Sequence, residues 1–220
     1  MESINHIRNL IIETGKKLVE EGYVTRTWGN ISIRIDENNM LITPSGRTYD
    51  DLTEKDIVLV NYHTLKHEGN IKPSSEKEVH CEIYKSRKDI NAVIHTHQMN
   101  ASTVATARRE IPAILDDQAQ IIGPSIKVAP YTLAGTKKIA KRVVKALRGR
   151  NAALMANHGA VCIGRDIDEA FVVCQLLEKT CKAFIEAEFL GGAKNINKFQ
   201  AILMHRHYIK NYSKQALKNK

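Results

Sequence analysis

An alternating run, Ile31-Ser32-Ile33-Arg34-Ile35, is followed by a polar turn at residues 36–39 and a second apolar run at 40–43. A period of two places successive side chains on opposite faces of a strand, so the first run predicts a half-exposed strand. When two strands are joined by such a short turn, they form hydrogen bonds with each other in the antiparallel orientation. The hairpin therefore argues against a purely parallel sheet, and no G-x-G-x-x-G motif follows a strand to indicate a dinucleotide-binding fold.

Helical and strand patterns alternate along the rest of the chain. We expect helices at 4–21, 76–86, 101–108, 136–147 and 168–189, and strands at 57–60, 92–97, 152–156 and 160–163. The acid-free basic stretch 127–150 is interpreted as an amphipathic helix with Ile139, Val143 and Leu147 on its apolar face. This order predicts an α/β fold with helices on both faces of a mixed or antiparallel sheet.

The chain is predicted to form one globular domain over residues 1–220, because 43% hydrophobic content in 220 residues suits a single sizeable core. The apolar runs are too short to cross a membrane, and Glu2, His6 and Arg8 interrupt any signal-peptide core. The four cysteines show no C-x-x-C spacing, and we expect buried free thiols in a reducing cytoplasm.

The net charge of +9 is concentrated at the C-terminus. Residues 189–220 contain seven Lys and Arg and no acid, so the rest of the chain sets 26 basic residues against all 24 acidic ones. We expect a basic C-terminal tail from about residue 190, which is usually a solvated helix face. No helix-turn-helix, RNP motif or zinc finger accompanies it, so the sequence does not favour nucleic-acid binding.

Two histidines, His95 and His97, end a strongly apolar run. Their i, i+2 spacing places both imidazoles on one face of a strand, in a chelating arrangement. His158, in an apparent turn between two apolar runs, is the candidate for a third ligand. Three imidazoles leave a coordination position of a catalytic divalent ion free for substrate. The alternative is that the pair are ordinary strand-end histidines.

Three short turns rich in hydroxyl groups, amides and glycine adjoin the predicted elements, at residues 27–30, 43–46 and 73–75. Together they resemble an anion cradle for a phosphate, whereas each alone also fits simple turn chemistry. Ser75 and Glu78 further fit a helix capping box. Glu76 suits the first turn of a helix, but a carboxylate beside a metal-bound hydroxyketone can also take a proton from carbon while the metal stabilises the enediolate.

These motifs, in this order and at these intervals, resemble the class II aldolase/adducin family, particularly its members that cleave L-fuculose 1-phosphate. The resemblance covers nearly the whole chain. It implies a three-layer α/β/α sandwich with a central, mainly antiparallel sheet, one zinc ion per subunit, and a homotetramer with active sites between subunits. It also implies an aldehyde-lyase that forms dihydroxyacetone phosphate and an aldehyde, with these site residues: His95, His97, His158 and Glu76 on the metal, Glu76 as base, and Asn30, Ser45, Gly46, Ser74 and Ser75 on the substrate phosphate.

The chain departs from that pattern at the expected general acid. Aldolases of this kind have a tyrosine just after an Ile-Pro-Ala segment, whereas residues 111–113 are followed here by Ile-Leu-Asp-Asp. The candidate substitutes are Asp116, Asp117, Tyr131, Tyr208 and Tyr212.

Other members of the family remain as alternatives. An L-ribulose-5-phosphate 4-epimerase has a similar histidine triad but typically has aspartate after Pro-Ser-Ser, so Glu76 favours an aldolase. A sugar-phosphate dehydratase would use the same metal centre. A non-catalytic adducin-like interaction module would be expected to lack the histidines.

Overall fold

The computed structural model describes residues 3–133 and 135–218, with side chains up to residue 211. Its helices are α1 (Ile4–Glu20), α2 (Lys77–Ser86), α3 (Met99–Ala107), α4 (Lys137–Ala146), α5 (Ile167–Phe189) and α6 (Lys198–Lys218). Its strands are β1 (Asn30–Arg34), β2 (Asn39–Ile42), β3 (Val58–Asn61), β4 (Ala92–Thr96), β5 (Ile111–Pro112), β6 (Ser125–Ala129), β7 (Ala152–Met155) and β8 (Gly159–Gly164). A 3-10 turn at Glu54–Asp56 and a π-helical turn at Gln118–Ile122 complete the described elements.

The eight strands form one sheet in the order β3-β2-β1-β4-β8-β7-β6-β5. Every neighbouring pair is antiparallel except β6 and β7, which run parallel. β4 lies near the centre, where His95 pairs with Asn30 of β1 on one side and with Val161 of β8 on the other. The prediction of a mainly antiparallel sheet is confirmed.

Helices cover both faces of the sheet and bury two separate apolar clusters. Alternation along β4 sends Ile94 into the cluster beneath α1, α3 and α5, and sends Val93 into the cluster beneath α2 and α4. The same alternation divides Cys162 and Val161 of β8 between the two clusters. Because buried apolar area is the main driving force for folding, these two interfaces hold the three layers together. The predicted α/β/α sandwich is confirmed.

The expected amphipathic helix over 127–150 is wrong outside Lys137–Ala146, whereas the helix expected at 136–147 is confirmed to within one residue at each end. Residues 125–129 form strand β6, and the helix itself, α4, begins only at Lys137. Pro130 follows the strand, and the Thr136 side chain accepts a hydrogen bond from the Ile139 amide as the N-cap of α4. The stretch without acidic residues therefore contains both strand β6 and helix α4, and not one continuous helix.

The expectation that β1 is half exposed is also wrong. Its polar residues Asn30 and Ser32 are buried, because α2 packs over this face of the strand. Alternation identified the two faces correctly, but a polar face covered by a helix has the same sequence pattern as one facing water. The buried polar face leads directly to the site described below.

The basic C-terminal segment contains helix α6, which packs on the π-helical turn. Ala201 and His205 are buried there, and His205 Nδ1 donates to the Gln120 carbonyl oxygen at 2.7 Å. All four cysteines are buried and unpaired, as predicted. Within the described residues, every helix is too short or too polar to cross a membrane.

Candidate metal centre

His95 and His97 lie together at the C-terminal end of strand β4, near the centre of the sheet. His95 is the fourth residue of β4, and His97 follows the last residue of that strand. Their Nε2 atoms are 2.9 Å apart. His95 Nδ1 lies 2.8 Å from the Ala160 carbonyl oxygen of β8. Because a carbonyl oxygen only accepts, Nδ1 carries a proton, and Nε2 is the ring atom of His95 that faces the site.

His158 reaches the same point from the turn between β7 and β8. The ring centroids of His158 lie 4.8 Å from His95 and 5.2 Å from His97. The next residue, Gly159, makes this approach possible, since a Cβ atom there would come within 2.3 Å of the Thr96 carbonyl oxygen. One ligand atom from each histidine lies within 4.8 Å of the others, so the predicted triad is brought together.

Glu76 immediately precedes α2 and points its carboxylate at this cluster. Its Oε2 atom is 3.1 Å from His95 Nε2, and its Oε1 atom is 3.4 Å from His158 Nε2. Glu76 Oε1 is buried and makes no hydrogen bond with any described group. A buried carboxylate oxygen without a hydrogen bond carries a large desolvation cost unless a cation balances it.

The electrostatics of the cluster keep Glu76 ionised and two of the histidines neutral, while Glu76 stabilises a proton on the third. Burial lowers the pKa of His95, but the charge and hydrogen bond of Glu76 raise it by more, and a bound metal would replace that proton. Burial alone would raise the pKa of Glu76, but the charge and hydrogen bond of His95 outweigh it and hold that pKa well below its usual range. Burial and the charges of His95 and His158 lower the pKa of His97 to about 3. Burial and the charge of His95 also lower the pKa of His158. At neutral pH Glu76 is therefore ionised, and His97 and His158 are neutral.

A divalent cation fits this donor set. Two imidazole nitrogens face each other at 2.9 Å, and the Ala160 carbonyl oxygen holds the His95 ring with its Nε2 atom toward the site. A third nitrogen and an unsatisfied carboxylate oxygen lie beside them. Three nitrogen donors and one carboxylate oxygen are the ligands typical of a catalytic zinc-type site. His95, His97, His158 and Glu76 would hold the ion.

A buried chain of hydrogen bonds, which was not predicted from the sequence, starts at Glu76. Asn30 Nδ2 donates to Glu76 Oε2 at 3.1 Å, and Asn30 Oδ1 lies 2.5 Å from His80 Nε2. His80 Nδ1 is 2.6 Å from Ser32 Oγ, which is 2.9 Å from the Tyr84 hydroxyl group. One signal was available: His80 follows Glu76 by four residues, a spacing that places both on the same side of a helix.

The expected phosphate-binding turns lie side by side next to Glu76. Pro44 and Pro73 form an isolated antiparallel bridge, and the Ser45 amide donates to the Lys72 carbonyl oxygen at 2.9 Å. This pairing brings the exposed Ser45 and Gly46 beside the second turn.

Ser74 and Ser75 of that second turn differ in their surroundings. Ser74 is buried and its Oγ atom accepts from the Glu76 amide at 3.2 Å, whereas Ser75 is exposed. The expected Ser75–Glu78 capping box is wrong, because Glu76 itself is the N-cap of α2 and makes no side-chain cap. The Asn30 side chain forms its hydrogen bonds with Glu76 and His80 and not with the exposed serines.

The candidates for the missing general acid are scattered. Asp117 binds Lys179 Nζ at 2.5 Å, and its segment follows β5, four strands from β4 or roughly 19 Å across the sheet. The exposed Asp116 lies in the same segment. Tyr208 donates to Glu169 Oε1 at 3.1 Å, near the end of β8 remote from His158. Tyr131 is exposed and follows β6 at the sheet edge that carries the histidines.

One candidate acid, Tyr212, and one aromatic neighbour of the histidines, Trp28, remain to be placed. The side chain of Tyr212 lies outside the described residues. Trp28 is 57% exposed and its ring stacks beside His97, with 6.2 Å between centroids. An exposed indole next to His97 adds an apolar wall to the site.

One buried and two half-buried histidines with one carboxylate, at strand ends between helical layers, are consistent with the metal centre of an enzyme. Residues 9–185 match the family described as Class II Aldolase and Adducin N-terminal domain. The chain belongs to this family, and fold and site together define a class II, metal-dependent aldolase, an aldehyde-lyase.

Similar proteins include two curated enzymes and one solved structure. The 5-deoxy-D-ribulose 1-phosphate aldolase of Bacillus thuringiensis is 36% identical over 188 residues, which cover 85% of this chain and 88% of that enzyme. The L-fuculose phosphate aldolase of Escherichia coli K12 is 35% identical over 181 residues, 82% of this chain and 83% of that enzyme. The solved structure of an L-fuculose 1-phosphate aldolase superposes with a TM-score of 0.89 at 34% sequence identity. The match covers 94% of this chain and 98% of the aldolase chain.

Proposed function

We propose that this chain is a zinc-dependent aldolase that cleaves a ketose 1-phosphate, such as L-fuculose 1-phosphate, to dihydroxyacetone phosphate and an aldehyde. The observation that carries the proposal is Glu76, an ionised carboxylate held among three imidazoles with one buried oxygen left unsatisfied. The names of the similar enzymes support the substrate class, since they include aldolases for the 1-phosphates of fuculose and 5-deoxyribulose.

The metal, when bound, supplies Lewis-acid polarisation of the carbonyl and hydroxyl oxygens of the ketose. Glu76 moves the proton at carbon: in aldol addition it removes a proton from the carbon next to the carbonyl, and in cleavage it returns that proton. Asn30 holds the carboxylate in place through Nδ2. Ala160 fixes the His95 ring through Nδ1, so that its Nε2 faces the site.

The phosphate is assigned to the two paired turns beside Glu76. Ser45, Gly46 and Ser75 are exposed there and offer hydroxyl and backbone N–H donors, and Ser74 sets the position of the Glu76 amide. The start of α2 follows directly, so the partial positive charge of the helix N-terminus favours an anion at this position. Asn30 retains a second N–H on Nδ2 for the substrate.

We assign a homotetramer with active sites at its subunit interfaces, with one zinc ion per subunit. Large apolar side chains support the assembly, because Met99, Phe189 and Leu190 are each at least 75% exposed. Asp117 and Tyr208 are engaged away from the histidines of their own chain, which favours an acid from a neighbouring subunit. Four buried free thiols fit a reducing compartment such as the cytoplasm.

The test is release of dihydroxyacetone phosphate from L-fuculose 1-phosphate and from 5-deoxyribulose 1-phosphate, measured by a coupled NADH assay. Each reaction is run with a chelator, and then with zinc or magnesium added back. Release that stops with chelator and returns with zinc supports the proposal. Zinc-loaded protein that releases none of this product, but epimerises L-ribulose 5-phosphate or dehydrates a sugar phosphate, would refute it.

A further inference from the structure

The buried polar face of β1 faces two polar side chains of α2, His80 and Tyr84, and connects them to Glu76. We propose that His80 is a positioning residue: it fixes the side-chain amide of Asn30 in the orientation that donates to the Glu76 carboxylate. This inference rests on the proposed function, in which Glu76 moves the proton. His80 does not touch the carboxylate itself, so it acts only through Asn30.

The hydrogen bonds run in one direction. His80 Nε2 must donate to Asn30 Oδ1, because a carbonyl oxygen has no proton to give. A neutral imidazole carrying its proton on Nε2 accepts at Nδ1, and Ser32 Oγ at 2.6 Å supplies the donor. Burial lowers the pKa of His80 to about 3, so the ring is neutral at the pH at which the enzyme would work. The donors of Ser32, His80 and Asn30 therefore all point toward Glu76.

The opposite orientation of the Asn30 amide is excluded by the same contacts. A half-turn of the amide would place Oδ1 against Glu76 Oε2 and would place the NH2 group against the N–H of His80. Two acceptors would then face each other at the Glu76 end of Asn30, and at the other end His80 would have to carry its proton on Nδ1 and donate it to Ser32 Oγ. Asn30 is 3% exposed and His80 and Ser32 are fully buried, so water cannot compensate for the mismatch.

Loss of the His80 N–H should therefore impair Glu76 while leaving the metal ligands intact. Without it, Asn30 Oδ1 is buried without a donor, and only the Glu76 carboxylate holds the amide in its orientation, so the donor on Oε2 is less firmly fixed. The effect falls mainly on the step in which the proton moves, because Asn30 offers the substrate a single N–H, whereas Ser45, Gly46 and Ser75 carry most of the proposed phosphate contacts. We expect kcat to fall and KM to change little.

Two substitutions at one position separate hydrogen bonding from packing. His80→Gln keeps an N–H near the Nε2 position, whereas His80→Leu has similar volume and no polar atom. Cys81→Ala is the matched control, because Cys81 is the next residue of α2 and is equally buried but lies outside the hydrogen-bonded chain. At saturating zinc, His80→Leu should lower kcat about 10- to 100-fold with KM within about 3-fold, and His80→Gln should recover most of the loss.

A double variant tests the route of the effect. If His80 acts through Asn30, then His80→Leu combined with Asn30→Ala should be no slower than Asn30→Ala alone. Multiplicative losses in the double variant would overturn the inference. So would a His80→Leu enzyme that is as active as Cys81→Ala.

A spectroscopic measurement needs no activity. Nitrogen-15 NMR of the metal-free and zinc-loaded protein should show His80 as the neutral Nε2–H tautomer, and Asn30→Ala should shift its N–H resonance. An Nδ1–H tautomer would overturn the inference. Wild-type protein that shows the Nε2–H tautomer but no aldolase activity would refute the proposed function while supporting the hydrogen-bond assignment on which His80 depends.

Discussion

Replacing Glu76 with glutamine removes the proposed base and preserves its size. In the wild type, Oε2 lies 3.1 Å from both Asn30 Nδ2 and His95 Nε2. A glutamine side-chain oxygen can take the Oε2 position and accept the same Asn30 hydrogen bond, but the amide nitrogen cannot accept a proton. Removing a general base typically costs about 10²- to 10⁴-fold in rate, or about 3–5 kcal/mol of transition-state stabilisation. Since three imidazoles remain, the variant should still bind one zinc ion per chain.

The assay is release of dihydroxyacetone phosphate at saturating zinc, with bound metal measured by elemental analysis on the same sample. Glu78→Gln is the matched control, because Glu78 lies in the first turn of α2 and the substitution changes the charge equally. The control should remain within about 2-fold of wild type, as expected for a surface charge. A zinc-loaded Glu76→Gln enzyme with more than a tenth of wild-type kcat would show that another group moves the proton.

Three further substitutions probe the ligands, the turn and the supporting structure. His97→Ala should abolish both zinc binding and turnover, and full activity of the metal-depleted variant would contradict the site. Gly159→Ala should lower the melting temperature by about 6–12 °C, the equivalent of about 3 kcal/mol, because its Cβ would come within 2.3 Å of a backbone oxygen in β4. Burial raises the pKa of Asp56, but hydrogen bonds from Thr53 and the charge of Arg47 lower it by more. The ionised carboxylate therefore stabilises the fold above the unfolded-state pKa and stops doing so as pH falls through the lower folded-state value. Asp56→Asn should lower the melting temperature by about 2–4 °C at pH 7, and scanning calorimetry should show this difference shrinking below about pH 4.

The parts of the site that the sequence predicted depend on local geometry. Alternation along a strand brings His95 and His97 together, and a short turn between two apolar runs brings His158 to the end of a strand. Each of these signals lies within a few residues of the ligand that it predicts. Each histidine could therefore be proposed without knowledge of distant packing, whereas their meeting at one point depends on the pairing of β4 with β8.

The parts that the sequence did not predict depend on packing between distant elements. Whether Asn30 and Ser32 face water or a helix is decided by where α2 lies, 46 to 52 residues further along the chain. The role of His80 becomes visible only after that packing is known. Strand β6 is not predicted for a different reason: Lys127 and Val128 belong to the acid-free stretch 127–150, whose basic composition favours one long amphipathic helix.

Strand register has a direct consequence for how this protein could be checked for correct folding. The β4–β8 pairing sets His95 opposite Val161 and leaves the Ala160 carbonyl oxygen to fix the His95 ring. A slip of one residue would turn His95 toward the opposite face of the sheet. Misfolded chains should therefore lose the metal before they lose their secondary structure. The ratio of bound metal to protein would then report the fraction of molecules with native register, which circular dichroism cannot distinguish.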